Sequence, residues 1–332
     1  MKKGFAYVMV LCACGGTGDT IIDGGDSDSG TGGDVATNDV TTNDVTSNDV
    51  TTNDVVQQDA PADVAPFNPA NVSGLVLWLE ADIQSSITLA TPDSGPQKVT
   101  KWADQTVHAN HALGLSQFFG RNPSVKASAI NKLPAVHFDQ GVQNQTSGQM
   151  LFINDNTDLS LQWGTGDFFV AIVGDFDNNT SNATNLGVGC FFTKATFPNG
   201  FQQPPVGLYL YGNVPGSSIN PGTGLIFSTS NTANDFVTTT NAYNNGNAHL
   251  FAIRRQGAKL DLYVDGASVA SSTSNTVDVS AAKSQVRIGA DGDANLFRLD
   301  GDIGEIMAVK GVLSTSDQTG ISSYLKSKWA TP

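Results

Sequence analysis

Between residues 67 and 332 the chain alternates short apolar or every-second-residue runs with clusters of Gly, Asn, Asp and Pro. That is the pattern of antiparallel strands joined by turns. Such runs occupy 75–79, 134–138, 150–153, 167–173, 206–211, 224–228, 250–254, 259–264, 285–288 and 303–309. The alternation is sharpest within 249–269, which predicts a hairpin. Leu260, Leu262 and Val264 share one strand face there, and Lys259, Asp261 and Tyr263 the other, because successive side chains of a strand point to opposite sides. Asp265-Gly266 then supplies a turn whose twist suits paired strands. One helix is predicted. Ser314-Thr315-Ser316-Asp317 reads as a capping box with a shortened acid, and Ile321, Leu325 and Trp329 follow at i, i+4 and i+8. That stripe suits a helix lying on the outside of a sheet, apolar side inward. About a dozen strands in one region predict an all-β fold of two stacked antiparallel sheets, a β-sandwich or jelly roll, with one C-terminal helix.

The pattern breaks before residue 67. Residues 15–66 contain no Lys, Arg or aromatic residue, but 11 Asp. Within them a pentapeptide recurs, Ala36-Thr37-Asn38-Asp39-Val40 and then 41–45, 46–50 and 51–55. Such a segment has too little apolar surface to offset its ordering entropy, and the composition predicts a disordered, self-repelling tether. Its root-mean-square reach is roughly 40 Å. The repeated Asn-Asp pairs lack the glycines of aspartate-rich calcium coils, so the tether reading is preferred to a calcium repeat. Further upstream, Lys2 and Lys3 precede an apolar run over 5–11 and then Leu11-Cys12-Ala13-Cys14-Gly15-Gly16. The order is that of a charged start, a short apolar stretch and a small-residue cleavage site. The stretch is too short for a transmembrane helix, which needs about 20 apolar residues. The expected organisation is a signal peptide over 1–13, a tether over 14–66 headed by Cys14, and a folded domain over 67–332.

Charge divides along the same boundary. The chain carries 17 basic and 31 acidic residues. Lys2 and Lys3 account for two of the bases and the tether for 11 of the acids, which leaves 15 bases and 20 acids in 67–332, a net charge of −5. A mildly acidic domain without a basic block is not expected to bind nucleic acid or to be drawn to an anionic bilayer by charge. Of the three cysteines, Cys12 and Cys14 belong to the N-terminal segment. Cys190 then has no partner for an internal disulfide and is expected as a small buried hydrophobe in a strand.

Two resemblances accompany these readings. The segment ending in Cys14 resembles the lipobox of bacterial lipoproteins. The resemblance implies lipidation of Cys14 and an anchored life at the bacterial outer membrane or cell surface; an ordinary secretory signal is the alternative. The folded region resembles the laminin-G-like, concanavalin A-like jelly rolls of bacterial surface proteins. The resemblance rests on Leu77-Trp78-Leu79-Glu80-Ala81, Trp102-Ala103-Asp104, Asn110-His111-Ala112 and Leu133-Pro134-Ala135-Val136-His137-Phe138-Asp139. It continues through Gly164-Thr165-Gly166-Asp167-Phe168, Leu262-Tyr263-Val264-Asp265-Gly266, Arg287-Ile288-Gly289 and Gly301-Asp302-Ile303-Gly304-Glu305, and ends in Tyr324-Leu325-Lys326-Ser327-Lys328-Trp329. It implies carbohydrate or glycoprotein recognition. The stretch 195–247 matches no motif of that family.

The residues add chemistry of their own. Trp78, Trp102, Phe138 and Phe168 read as core aromatics. Asp104, Asn110 and His111 read as groups that fix a loop. Sugar binding on a sheet face draws on aromatic and amide side chains, and Tyr209 and Tyr211 alternate with Leu208 and Leu210 just after Gln202 and Gln203. Tyr209, Tyr211 and Gln202 are therefore the candidate ligand residues. Asp291, Asp293 and Asn295 alternate in a loop and form a candidate calcium site, although the spacing is not that of an EF-hand. A glycoside hydrolase needs two carboxyls across one bond. The domain has two glutamates, Glu80 and Glu305, at opposite ends of its sequence. Glu80 and Asp82 would share a strand face, whereas Asp302 and Glu305 would not unless a bulge intervenes. No local spacing supplies a catalytic pair, so no catalytic residue is expected. Binding without catalysis leads; an adhesive or structural module and a polysaccharide hydrolase are the alternatives.

Overall fold

The computed structural model describes residues 66–332 except 91–95, 117–118, 140–148, 155–158, 177–187, 197–205, 214–224, 229–235, 240, 242, 244, 273–277, 280–284 and 291–297. In chain order its elements are β1 (Leu75–Glu80), β2 (Ile87–Ala90), β3 (Lys98–Trp102), β4 (Ala112–Leu113), β5 (Ser124–Ile130), β6 (Leu133–Phe138) and β7 (Leu151–Ile153). There follow β8 (Phe168–Gly174), β9 (Val188–Thr196), β10 (Val206–Asn213), β11 (Leu225–Ser228), β12 (Phe236–Thr238) and β13 (His249–Gln256). The last are β14 (Lys259–Val264), β15 (Ala267–Ser272), β16 (Val286–Ile288), β17 (Gly301–Lys310) and α1 (Thr315–Trp329).

The strands form two antiparallel sheets, as a jelly-roll sandwich requires. The first runs β15-β14-β13-β8-β17-β6-β5, and the second β12-β11-β10-β9-β16-β7-β4-β3-β2. β17 organises the first sheet. Ile303–Lys310 pair with β8 on one edge. On the other edge Gly301–Ile303 pair with β6 and Glu305–Val309 with β1. The first and last strands of the domain are thus direct neighbours.

Two apolar layers follow from strand alternation. Val170, Ile172, Phe251, Ile253 and Leu262 of the first sheet meet Leu151, Ile153, Phe192, Val286 and Ile288 of the second in the core between the sheets. The opposite side of the first sheet offers Phe169, Ala171, Val173, Met307 and Val309 to Ile321, Leu325 and Trp329 of α1. The described domain is therefore layered as helix, sheet, sheet. The predicted hairpin has Leu260, Leu262 and Val264 in the inner core, and Asp265 and Gly266 turn at φ 53° and 85°. The helix begins where its cap places it, with Ser314 Oγ accepting from Asp317 N at 3.0 Å.

Gly304 lets α1 approach closely. A Cβ there would lie 2.7 Å from the Trp329 ring. The register of β17 slips between Ile303 and Glu305, so Ile303 and Ile306 both enter the inner core while Glu305 turns outward to Trp329. Residues 67 and 324 seal the same region, with the Phe67 and Tyr324 rings 6.3 Å apart. Cys190 is buried in β9, as expected.

Trp329 is 1% exposed and joins α1 to the first sheet. Trp329→Ala should destabilise the domain by about 3–5 kcal/mol, the range for truncating a buried aromatic. Urea unfolding followed by tryptophan fluorescence checks this.

Candidate functional site

The outward face of the second sheet is defined by its register. Thr88, Lys101, Leu113, Phe152, Arg287, Thr193, Tyr209, Ser228 and Phe236 are successive cross-strand partners. They form one row across all nine strands. Directly opposed residues of antiparallel strands share a face. Leu151 and Ile153 flank Phe152, Val286 and Ile288 flank Arg287, and all four lie in the core between the sheets. Phe152, Arg287 and, beside them in register, Leu113 and Thr193 therefore look away from that core. Leu113, Phe152 and Arg287 are partly exposed, and Thr193 is buried.

Tyr209 stands in this row opposite Thr193, and Tyr211 stands opposite Cys190 on the same strand. Their backbone belongs to β10; their side chains are not among those described. Gln202, Asp291, Asp293, Asn295 and Cys14 lie outside the described residues. Among the described residues no cluster of three or more His, Cys, Asp or Glu is arranged to hold a metal ion.

Charged side chains gather on the other side of the molecule, under α1. Glu80 and Glu305 are direct register partners on β1 and β17. Glu305 is fully buried. Its Oε1 accepts from Trp78 Nε1 at 2.7 Å, and its Oε2 accepts from Trp329 Nε1 at 2.8 Å and Lys328 Nζ at 3.0 Å. Lys328 also pairs with Glu80 and, at 2.8 Å, with Asp82 Oδ1, and donates to Tyr324 OH at 3.3 Å. One ammonium serves three carboxylates.

Glu80 and Glu305, at opposite ends of the domain's sequence and without a local spacing to join them, are thus made neighbours by the fold. Asp302 and Glu305 also share the outer face, because the slip at Gly304 is the bulge that their spacing required. Lys328 carried no assigned role in the sequence; its place four residues after Tyr324 and beside Trp329 was the available signal.

Burial pushes Glu305 up from 4.5 to about 7, against the pull of Lys328 and with a further push from Glu80. Glu80 is raised as well, again chiefly by burial. Burial works to lower Lys328, but Glu305, Asp82 and Glu80 together hold it above the ordinary lysine value. The cluster joins a raised acid to a second acid, the electrostatic pattern of a catalytic dyad. Its geometry is closed, however. Three donors occupy the Glu305 carboxylate, and it presents no surface to a substrate.

Farther along β17, Asp302 is fully buried. It accepts from Lys126 Nζ at 2.8 Å and pairs with His137 Nδ1 at 2.8 Å. Burial would raise Asp302, but His137 and Lys126 hold it below the usual carboxylate value. The loop before β4 is tied by Asp104. Its Oδ1 accepts from Trp78 N and Thr106 N at 2.8 and 3.0 Å, and its Oδ2 from Thr106 Oγ1 and Asn110 N at 2.7 and 2.8 Å. Asn110 Nδ2 donates to Val76 O and Ser160 Oγ, and Asp104 N donates to His111 Nδ1. These three residues fix a loop, as their spacing implied.

A family model described as the concanavalin A-like lectin/glucanases superfamily matches residues 202–317, which run from before β10 into α1. No curated protein sequence matches the chain. Among solved structures, the binding domain of Paraclostridial Mosquitocidal Protein 1 superposes with a TM-score of 0.50 at 11% identity, over 80% of this chain and 56% of that one. The chain thus spans little more than half of that neighbour's length, and the likeness is one of fold. Domain 4 of an extracellular arabinanase from Geobacillus stearothermophilus, in complex with arabinotriose, gives 0.48 at 13% identity, over 76% of this chain and 99% of that one. Trypanosoma rangeli sialidase in complex with sialic acid gives 0.47 at 13% identity, over 78% and 34%.

The raised Glu305 sets a pH dependence. A carboxyl with a folded value of about 7 against an ordinary 4.5 contributes stability that is fully present below 4.5 and lost as pH rises through 7. Glu80 acts in the same direction, and Asp302 titrates below this window. The melting temperature should therefore fall by several degrees between pH 5 and pH 8, and Glu305→Gln should flatten that dependence. Differential scanning calorimetry across the interval checks both.

Proposed function

We propose that this protein is a lipid-anchored surface module whose jelly-roll domain binds carbohydrate or glycoprotein and catalyses nothing. The observation that carries the binding reading is the row across the second sheet. Its described members, Thr88, Lys101, Leu113, Phe152, Arg287 and Thr193, set hydroxyl, cationic and apolar groups side by side, and the backbone of β10 continues the row at Tyr209. A sugar needs this kind of surface, with apolar faces for its C–H groups and a few placed polar groups for its hydroxyls. The match of 202–317 to a superfamily of lectins and glucanases supports the same ligand class.

Absence of catalysis is argued from the carboxylates under α1. A glycosidase must set an acid and a base on either side of a reachable bond. Glu305 is sealed beneath two indoles and Lys328, and Glu80 is held by the same ammonium. Their pairing favours a polysaccharide hydrolase as the second reading, because it brings two acids face to face across the sheet register.

Anchoring is argued from the sequence of residues 1–66. Lipidation at Cys14 would hold the chain at a membrane through its acyl chains, and the Asp-rich segment would carry the domain clear of the surface.

Tyr209→Ala with Tyr211→Ala should weaken retention on a glycan column about tenfold, equivalent to 1.4 kcal/mol, with the melting temperature little changed. Incubation of the parent protein with a polysaccharide panel should release no reducing ends. Ends that appear with the parent and vanish on Glu80→Gln would establish the hydrolase instead. Cys14→Ser should move the protein from the membrane fraction to the soluble fraction, as judged by sedimentation and immunoblotting.

A further inference from the structure

Thr193 lies at the middle of the row, between Arg287 of β16 and Tyr209 of β10. It is 1% exposed, and among the described residues its Oγ1 has no hydrogen-bond partner. Native interiors rarely leave a hydroxyl withdrawn from water and unmatched. A ligand group that reached it would complete the set.

The row has a second property. It contains two bases, Lys101 and Arg287, and no acid at any of its positions from Thr88 to Phe236. The domain around it has more acids than bases, so this strip runs against the composition of its own domain. Arg287 is partly exposed and adjoins Thr193 in register. A guanidinium presents five N–H donors in a planar fork that fits a carboxylate, and five donors suffice to serve a protein neighbour and a ligand together. Phe152 stands on its other side and offers an apolar face.

We propose that this row recognises an acidic glycan, a sugar whose carboxylate is held by Arg287 while a neighbouring sugar hydroxyl closes on Thr193 Oγ1. Lys101, two strands beyond Phe152, favours further negative charge along an extended chain. The proposal rests on the carbohydrate-binding reading and names the class of sugar for it. An uncharged sugar would satisfy Thr193 but gain nothing from the charge of Arg287 and Lys101; an anion without hydroxyls would do the reverse.

The test uses the full-length protein and three probes in isothermal titration calorimetry: polygalacturonic acid, the same polymer after carboxyl reduction, and dextran sulfate. The parent protein should bind the acidic polymer about tenfold or more tighter than its reduced form. Arg287→Gln should abolish that preference while leaving weak binding of the reduced polymer in place. Thr193→Val, which keeps the shape and removes the hydroxyl, should weaken binding of both polymers severalfold. Should Arg287→Gln fail to fold, Arg287→Lys and Lys101→Gln serve in its place. Arg287→Lys should retain part of the preference, and Lys101→Gln should reduce it. Equal affinity for the acidic and reduced polymers would overturn the acidic assignment and leave carbohydrate binding standing. Tightest binding to dextran sulfate, unaffected by Thr193→Val, would overturn it in favour of simple polyanion attraction. Failure to bind these probes or any member of a broad glycan array would overturn both readings.

Discussion

A carboxylate with no exposure to water has to be met by donors, and meeting Glu305 is what ties the ends of this domain together. The donors come from three places: the indole of Trp78 on β1, and the indole of Trp329 and the ammonium of Lys328 in the last turn of α1. None of the three is near Glu305 in sequence: Trp78 is 227 positions away, Lys328 23 and Trp329 24. The carboxylate therefore specifies that β1 pairs with β17 and that α1 lies across both. Removing one partner of such a buried group leaves charge uncompensated, which costs far more than the intact pair contributes. The excess of three acids over one base is relieved by the upward shift of Glu305, so the cluster is held by proton uptake as well as by the lysine.

This arrangement divides the molecule between its two outer faces. The first sheet spends its outward side on structure. Met307, Val309, Ala171 and Phe169 lie under α1, and the acids that alternate with them are locked to Lys328 or to His137 and Lys126. The second sheet carries its row of aromatic, hydroxyl and cationic positions on the other side of the core. The core between them is built from large side chains of both sheets, such as Phe138, Phe191, Phe192 and Phe251. Such a core fixes strand positions closely. A rigid sheet is a suitable base for recognition, since little order is lost when a ligand lands on it.

Much of the fold was legible in the sequence wherever the signal is local. The Asp265-Gly266 turn, the Ser314 cap and the Ile321–Leu325–Trp329 stripe each depend on residues within one turn or hairpin, and the structure has them as read. So does the Asp104 loop, whose hydrogen bonds run mainly to its own neighbours. Strands with polar or mixed composition were harder to read. β5, with Lys126 and four small or hydroxyl-bearing residues, and β15, with Ser and Ala, are edge strands of the first sheet. An edge needs less apolar surface, and so it leaves a fainter alternation.

What the sequence determined by itself is the all-β class, the terminal helix, the turn chemistry and which residues share a face in a regular strand such as β14, because strand period and capping are properties of neighbouring residues. What only the tertiary structure decided is which faces meet. Glu80 and Glu305 are 225 positions apart and become direct partners, and the slip at Gly304 turns Glu305 outward when simple alternation would place it with the opposite set. Thr193 and Tyr209 come from consecutive strands, but Arg287 lies far along the chain from both, and the three line up only in the assembled sheet. The period of two tells a side chain which side of its strand to take; which strand lies beside it is settled by long-range packing, where no local pattern carries the information.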